Sequence, residues 1–230
     1  MDVDIIEPDI NTLSIQGPKA EDLLASIFGE KIRDIGFFKY GWIEFKGTRQ
    51  LMARSGYSRQ GGFEIYLQGG HLGSALWDTI WEAGLPFNIS PGCPNLIERI
   101  EGGLFSYGNE MTRENNPFEI GHGKFCVVDG SIDYIGRAAL QKIAAEGVNR
   151  EIRGITFGGD PCPTCSTPWP VFSAERQVGQ ITSGIWSPRL KKNIGQSMVD
   201  RDFWDPGQTV TVVLPNGNIR SGNVVALPIR

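Results

Sequence analysis

Hydrophobic and polar positions change their spacing several times along residues 1–149. Strand-like runs, rich in β-prone residues and bounded by turn signals, occupy 12–15, 37–45, 49–54 and 63–67. Helical spacing occupies 19–28, 71–83, 95–107 and 135–145. Gly29 and Gly84 follow the first two helical runs, at the position where a glycine commonly ends a helix. This mixture predicts an α+β lobe over residues 1–149.

The pattern changes at Arg150 to short alternating runs. Six of them occupy 152–157, 169–172, 178–181, 194–199, 210–214 and 219–226. Asn216-Gly217 separates the last two, and Asn-Gly between apolar runs is a strong hairpin signal. Successive short strands of this kind predict a small antiparallel β-barrel over residues 150–230, so the fold class is α+β followed by a barrel.

The run at 63–67 carries chemical groups on one side. Phe63, Ile65 and Leu67 alternate with Glu64 and Tyr66. Because successive side chains of a strand point to opposite faces, one face is apolar and the other presents a carboxylate beside a phenol.

Two interpretations of Glu64 remain open on these residues alone. In one, the strand belongs to a hairpin and Glu64 points into water. In the other, Glu64 accepts two parallel N–H bonds from a planar amidine-like edge such as that of a pterin. Tyr57, in the glycine-rich loop before the strand, or Tyr66 would then stack on the ring.

Arg99 has two interpretations as well. On the predicted helix 95–107 it lies near Glu98 and Glu101, which is typical of a salt-bridged surface residue. A guanidinium group also matches a carboxylate bidentately, so Arg99 is alternatively an anchor for a ligand carboxylate.

Aromatic residues near 40 are usually part of a core, but Tyr40 or Trp42 beside a pocket would also face a cation. Trp42 and Trp186 are therefore candidates for contact with a substrate.

Charge and hydropathy limit the possible partners. The net charge of −4 argues against a general nucleic-acid binder. The basic run 189–192 is explained either as a solvated loop or as a contact for one anionic group. No apolar stretch reaches the length of a membrane span, and the first residues lack the features of a signal peptide. We therefore expect no membrane partner and a cytoplasmic location.

The four cysteines do not have the spacing of a zinc ribbon, which needs a second Cys-x-x-Cys pair. His71 and His122 have no ligand-like spacing, so we expect no metal site. Cys162 and Cys165 lie among prolines, which predicts loop thiols. Phosphate-binding, dinucleotide-binding and nucleophile-elbow motifs are absent from the sequence, and the catalytic residues stay unknown.

Three segments together resemble one family. They are Arg54-Ser-Gly-Tyr-Ser-Arg-Gln-Gly-Gly-Phe-Glu64-Ile65, Glu98-Arg-Ile-Glu-Gly-Gly-Leu-Phe-Ser-Tyr-Gly-Asn-Glu110 and Gly179-Gln-Ile-Thr-Ser-Gly-Ile-Trp-Ser-Pro-Arg-Leu190. Blocks at 16–20 and 134–137 resemble the same family in the same order. The family is that of the glycine-cleavage T-protein, the tetrahydrofolate-dependent aminomethyltransferases.

Within the family, the blocks at 95–104 and 114–119 are most similar to the dimethylsulfoniopropionate demethylase branch. Asn95 stands where a T-protein has an arginine that contacts folate, which leaves the partner of the folate tail unassigned. The alternative activities are aminomethyl transfer in glycine cleavage and an accessory or regulatory folate-binding role without transferase activity. The accessory group typically shows a Lys-Gly-Cys motif, whereas this chain has Gly103 to Asn109 in that block.

The resemblance implies a role for each candidate residue. Glu64 would grip the pterin of tetrahydrofolate, and Tyr57 and Tyr66 would line it. Arg99 is a further folate-binding candidate, as the anchor for a carboxylate of the folate. The barrel would close over one side of the site. Transfer of a methyl group from a sulfonium acid to tetrahydrofolate would then need chiefly positioning in a dry aromatic pocket.

The family pattern also predicts that the chain is a fragment. In the family a long segment precedes the block that resembles 13–18, and it supplies an aspartate and part of the folate pocket. We expect the chain alone not to turn over substrate, and we expect surfaces normally covered by that segment to favour self-association.

Overall fold

The computed structural model describes residues 3–93 and 95–230; Met1, Asp2 and Pro94 lie outside the described residues. The chain divides into two compact units, residues 1–95 and residues 96–230, which are described in turn.

The first unit contains four strands and two α-helices. In chain order they are β1 (Ile10–Gln16), α1 (Ala20–Phe28), β2 (Tyr40–Phe45), β3 (Thr48–Ala53), β4 (Gly62–Gln68) and α2 (Gly73–Gly84). The strands and helices predicted in this part are confirmed to within a few residues. The predicted helix 71–83 begins as a short 3-10 turn, Gly70–Leu72, before α2.

The four strands form one antiparallel sheet in the order β1-β4-β3-β2. One face of the sheet packs against α1 and α2. Its core consists of alternate apolar residues of the strands, which are Ile15, Ile43, Phe45, Met52, Phe63, Ile65 and Leu67. Leu24 and Leu76 supply the helix side of this core and are almost fully buried. The predicted apolar face of β4 is therefore confirmed, and Glu64 and Tyr66 lie on the opposite face.

The second unit contains a closed antiparallel barrel, as predicted. Its strands are β5 (Arg150–Phe157), β6 (Trp169–Ser173), β7 (Arg176–Ser187), β8 (Lys192–Asp200), β9 (Thr209–Val213) and β10 (Ile219–Val225). They close in the order β10-β5-β8-β7-β6-β9. Alternate apolar side chains such as Ile155, Val171 and Val212 fill the interior. Asn216 and Gly217 lie in the turn between β9 and β10, which confirms the predicted hairpin.

Two helices precede the barrel in the second unit, α3 (Leu96–Gly102) and α4 (Arg137–Glu146). The prediction of a helix over 95–107 is wrong in its length, because α3 ends at Gly102. Gly103 has a φ of 65°, in the left-handed region that ends helices, and the Leu104 N–H donates back to the Arg99 carbonyl. β7 is longer than the predicted 178–181, and it passes a register shift between Ile181 and Ser183.

Among the described residues, no helix is long and apolar enough to cross a membrane. A cluster of three or more His, Cys, Asp or Glu side chains that could hold a metal ion is also absent from residues 3–93 and 95–230.

Candidate functional site

The strand register places the candidate residues of the first unit in two rows across the sheet. Glu64 pairs with Ser14 on one side and with Ala53 on the other, and Ala53 pairs with Tyr40. The next row runs in the same way from Thr12 through Tyr66 and Leu51 to Trp42. Both rows lie on the face opposite to the core. The sheet therefore brings a carboxylate, two phenols and an indole to one surface.

This surface contains a concave pocket of about 610 Å³. Its lining includes Tyr40, Trp42, Ser55, Glu64 and Tyr66. A volume of this size lies within the usual range for small-molecule sites. The pocket thus combines aromatic walls with one carboxylate, on β4, and two cationic residues, Lys39 and Arg49.

The Glu64 carboxylate keeps acceptor positions for a ligand. Its Oε2 accepts a hydrogen bond from Ser55 Oγ at 2.5 Å. Its Oε1 accepts none from the residues that the structure describes. Because a carboxylate has about four lone-pair positions, Oε1 and the second lone pair of Oε2 can still accept a parallel pair of N–H donors.

The aromatic residues of the pocket contact one another and a cationic side chain of the protein itself. Tyr40 and Trp42 lie edge to face, with ring centroids 6.3 Å apart. The Arg49 guanidinium carbon lies 4.3 Å from the centroid of the Trp42 ring. One face of this ring is therefore in contact with Arg49, and a ligand cation would use the other face or the neighbouring phenols.

Tyr57 does not line the pocket that contains Glu64 and Tyr66. It lies in the loop before β4 and borders a second cavity of about 380 Å³. Trp77 and Trp81 of α2 line that cavity and stack nearly parallel, with centroids 6.2 Å apart. Sequence reasoning missed Trp81; its spacing of four residues from Trp77 on a helix was the available signal.

Arg99 belongs to the second unit, where it forms a buried ion pair rather than a surface one. Its side chain is 6% exposed, and its NH1 group donates to Glu110 Oε2 at 2.9 Å. It also donates to the Leu104 carbonyl and, through NH2, to Ser183 Oγ at 2.6 Å. The expected pairing of Arg99 with Glu98 or Glu101 at the surface is wrong. The chain bends after α3, and this bend brings Glu110 into contact with Arg99 instead.

Glu101 makes a second polar connection from α3 to the barrel. Its Oε1 accepts from Ser187 Oγ at 2.5 Å, and its Oε2 accepts from Arg189 Nε at 2.7 Å. The basic run 189–192 therefore contributes one of its charges to an ion pair within the unit. Arg99 and Glu101 together attach α3 to β7 through charged groups.

The remaining candidates lie apart from these clusters. Trp186 is half-buried on β7, where it pairs with Asn193 of β8. Asn95 is exposed immediately before α3. Trp42 and Trp186 belong to different units. The substrate contact predicted for each residue therefore stays a separate prediction.

Cys162 and Cys165 are free thiols in the connection between β5 and β6, which confirms the loop assignment. Burial raises the pKa of the Cys162 thiol to about 11, and it raises the pKa of Cys165 to about 11 as well. Both are therefore protonated and weakly nucleophilic near neutral pH.

Two family models match the chain. Residues 1–130 match the GCVT N-terminal domain, and residues 150–229 match the glycine cleavage T-protein C-terminal barrel domain. The chain belongs to the glycine-cleavage T-protein family. The division into domains at residues 149 and 150 stays a prediction.

Among individual relatives, the dimethylsulfoniopropionate demethylase DmdA of Ruegeria pomeroyi is 50% identical over 216 residues, covering 94% of this chain and 58% of its own length. An aminomethyltransferase of Caldanaerobacter subterraneus is 32% identical over 225 residues, covering 96% of this chain and 59% of its own. The solved aminomethyltransferase T of the Bartonella henselae glycine cleavage system superimposes with a TM-score of 0.77 at 22% identity, over 94% of this chain and 58% of that one. The chain thus spans somewhat more than half the length of these relatives.

Proposed function

We propose that the chain is the folate-binding part of a C1 transferase that moves a methyl group from a sulfonium acid, such as dimethylsulfoniopropionate, to tetrahydrofolate. The observation that carries the proposal is the 50% identity to a dimethylsulfoniopropionate demethylase, against 32% to an aminomethyltransferase over nearly the same residues. The pocket beside Glu64 supports it, because its volume suits a pterin edge, and so does the carboxylate oxygen that accepts no hydrogen bond from a described residue.

In this proposal Glu64 binds the pterin through two parallel N–H···O bonds, and Tyr66 packs against the ring from the next residue row. Tyr57, which borders the second cavity, contacts the folate outside the pocket that contains Glu64. Tetrahydrofolate supplies the nitrogen that receives the methyl group. Tyr40 and Trp42 present ring faces that hold the sulfonium cation. Both rings are exposed in this chain, so exclusion of water from them would need a further covering surface.

Charge dispersal explains why such a pocket accelerates the reaction. A sulfonium concentrates positive charge on one centre, and the charge spreads as the methyl group moves in the transition state. A dry aromatic wall therefore disfavours the reactant more than the transition state, and alignment of the two bound molecules supplies much of the remaining rate.

Arg99 enters the proposal as a contact for the folate tail only through N–H groups that Leu104, Glu110 and Ser183 do not use. If Arg99 reads the tail, Arg99→Ala should weaken binding of a polyglutamylated folate more than binding of a bare pterin. Equal effects on the two ligands would assign Arg99 to structure alone.

Glu64→Gln tests the pterin contact. The substitution replaces one acceptor oxygen by an NH₂ donor, which should cost about 2–3 kcal/mol of tetrahydrofolate affinity while leaving thermal stability nearly unchanged. Isothermal titration calorimetry measures the dissociation constant. Glu44→Gln is the matched control, because Glu44 lies on the same sheet face but outside the pocket lining. An unaltered dissociation constant for Glu64→Gln would refute the assignment.

Aminomethyl transfer in glycine cleavage is the second candidate, and the 32% identity to aminomethyltransferases favours it. The two activities separate by donor. Formation of 5-methyltetrahydrofolate from dimethylsulfoniopropionate supports the first, whereas consumption of an aminomethyl group carried on a lipoyl protein supports the second. Folate binding without turnover of either donor, in the chain and in any longer protein encoded by the same reading frame, would indicate the accessory role.

A further inference from the structure

We propose that Ser55 and Gln16 are positioning residues for Glu64, which together fix the direction in which its carboxylate faces the pocket. The inference rests on the proposed function in one respect, namely that Glu64 is the group that binds the pterin. All the contacts that carry it lie within the first unit.

Ser55 sets the carboxylate directly. Its hydroxyl donates to Glu64 Oε2 at 2.5 Å across the loop that joins β3 to β4. A hydrogen bond to one oxygen restricts rotation of the terminal carboxylate, which otherwise has a broad torsional preference. Oε1 and the second lone pair of Oε2 are thereby held in one plane for a two-point contact.

Gln16 in turn fixes Ser55. The two N–H groups of Gln16 Nε2 are shared among three acceptors, the carbonyl oxygens of Ser55 at 3.1 Å and Phe63 at 3.3 Å and the Ser14 Oγ at 3.0 Å. These two carbonyls lie on the two sides of the loop. Gln16 Oε1 also accepts from Ser58 Oγ at 2.8 Å. One amide at the end of β1 therefore connects both ends and the middle of the loop that carries Ser55.

The backbone around this amide leaves little room for another arrangement. A Cβ at Gly56 would lie 2.0 Å from Gln16 Oε1. A Cβ at Gly62, whose φ is 138°, would lie 2.2 Å from the Ile15 carbonyl oxygen. Both distances are far below any real contact, so glycines at these two positions let the loop press against Gln16. The close packing limits alternative positions of Ser55.

A double-mutant cycle separates positioning from general support of the fold. Ser55→Ala should weaken tetrahydrofolate binding about tenfold or more in the otherwise unchanged chain, because the orienting bond to a charged group is lost. In a Glu64→Gln chain the same substitution should change the dissociation constant less than about twofold, because the group that Ser55 orients is already replaced. Gln16→Leu should behave in the same way.

Ser26→Ala is the control, since Ser26 donates to the Leu23 carbonyl within α1 and, among the residues that the structure describes, to no other group. Equal losses for Ser55→Ala with and without Glu64→Gln would overturn the inference, because a merely structural serine gives additive effects. A loss that disappears in the Glu64→Gln chain would support it.

Crystal structures of the unchanged chain and of Ser55→Ala keep this test apart from the pterin assignment. The inference expects one orientation of the Glu64 carboxylate with Ser55 present and a displaced or multiple orientation without it. If Glu64→Gln leaves folate affinity unaltered, the proposed function fails, and these structures alone decide the positioning role. An unmoved carboxylate in Ser55→Ala would overturn it.

Discussion

Glu64 in the first unit and Glu110 in the second are carboxylates that differ in burial and in the number of hydrogen bonds that they accept. Glu110 has a fully buried side chain, and its Oε2 accepts from both Arg99 and the Ser106 N–H. Glu64 faces a pocket and accepts from Ser55 alone among the described residues. A carboxylate whose acceptor positions are occupied by its own protein stabilises the fold, whereas one with vacant positions is available to a ligand. The contrast supports the proposal that Glu64 binds a ligand, and it shows that the Arg99–Glu110 pair joins segments of the fold.

The largest expected effect comes from breaking the occupied cluster. Glu110→Ala leaves the Arg99 guanidinium buried without its carboxylate, which should lower the free energy of unfolding by about 3–5 kcal/mol. Urea denaturation followed by circular dichroism measures the loss.

Glu114→Ala is the matched control for this substitution, because Glu114 is exposed in the same segment. It should change the free energy of unfolding by less than about 0.5 kcal/mol. A loss below about 1 kcal/mol for Glu110→Ala would show that the Arg99–Glu110 ion pair contributes little to the stability of the fold, contrary to the role given to it here.

Glu119 offers an intermediate case that responds to pH. Burial by itself raises the pKa of Glu119, but hydrogen bonds from Arg150, the Asn116 N–H and Asn115 outweigh it and hold the pKa below its usual range. Because the folded-state pKa lies below the unfolded value, this carboxylate stabilises the fold above about pH 4.3, and the contribution is lost as the pH falls through the folded-state pKa.

Urea unfolding midpoints of the unchanged chain and of Glu119→Gln should therefore converge between about pH 5 and about pH 3. A constant difference across that range would show that Glu119 is not held in its charged form.

The open sheet face predicts self-association. Tyr40 is 64% exposed and Trp42 is 51% exposed on the face that carries Glu64. Exposed aromatic surface of this kind favours contacts between copies. Sedimentation velocity should show dimers or larger species whose proportion rises with concentration and falls on Trp42→Ser. A concentration-independent monomer would contradict the expectation.

The smallest effect concerns the thiols of buried Cys162 and half-buried Cys165, for which no role is proposed. Since burial raises the pKa of Cys162 and Cys165 to about 11 each, both should react slowly with a thiol reagent at about pH 8. Exposed Cys93 should react first, and Cys93→Ser identifies its phase. All four cysteines should react in guanidinium chloride. Rapid modification of Cys162 in the folded chain would contradict the burial argument.

Local patterns predicted the strands well because alternate side chains of each strand are buried, and this alternation is visible within the few residues of the strand itself. The face of β4 that bears Glu64 followed directly from the alternation at 63–67. Helical spacing gave the wrong partner for Arg99. Its partner Glu110 lies beyond the end of α3, and the chain bends between the two residues, so their contact is not one between neighbours on a helix. The extension of β7 also escaped prediction, because its buried serines are satisfied by charged residues of α3. The pattern of apolar residues along a sequence gives no information about polar contacts between segments that are distant in the chain.

The order of strands in the first unit also bears on when the Glu64 pocket takes shape during folding. β2, β3 and β4 pair as neighbours in sequence, whereas β1 reaches β4 across most of the unit, with Gln16 opposite Gly62. Contacts between distant residues close larger loops and form more slowly than local ones. We therefore expect the hairpins to form first and the glutamine contacts with Ser55 and Phe63 to form late. In pulse-labelling hydrogen exchange, amides of β2 and β3 should gain protection before those of β1.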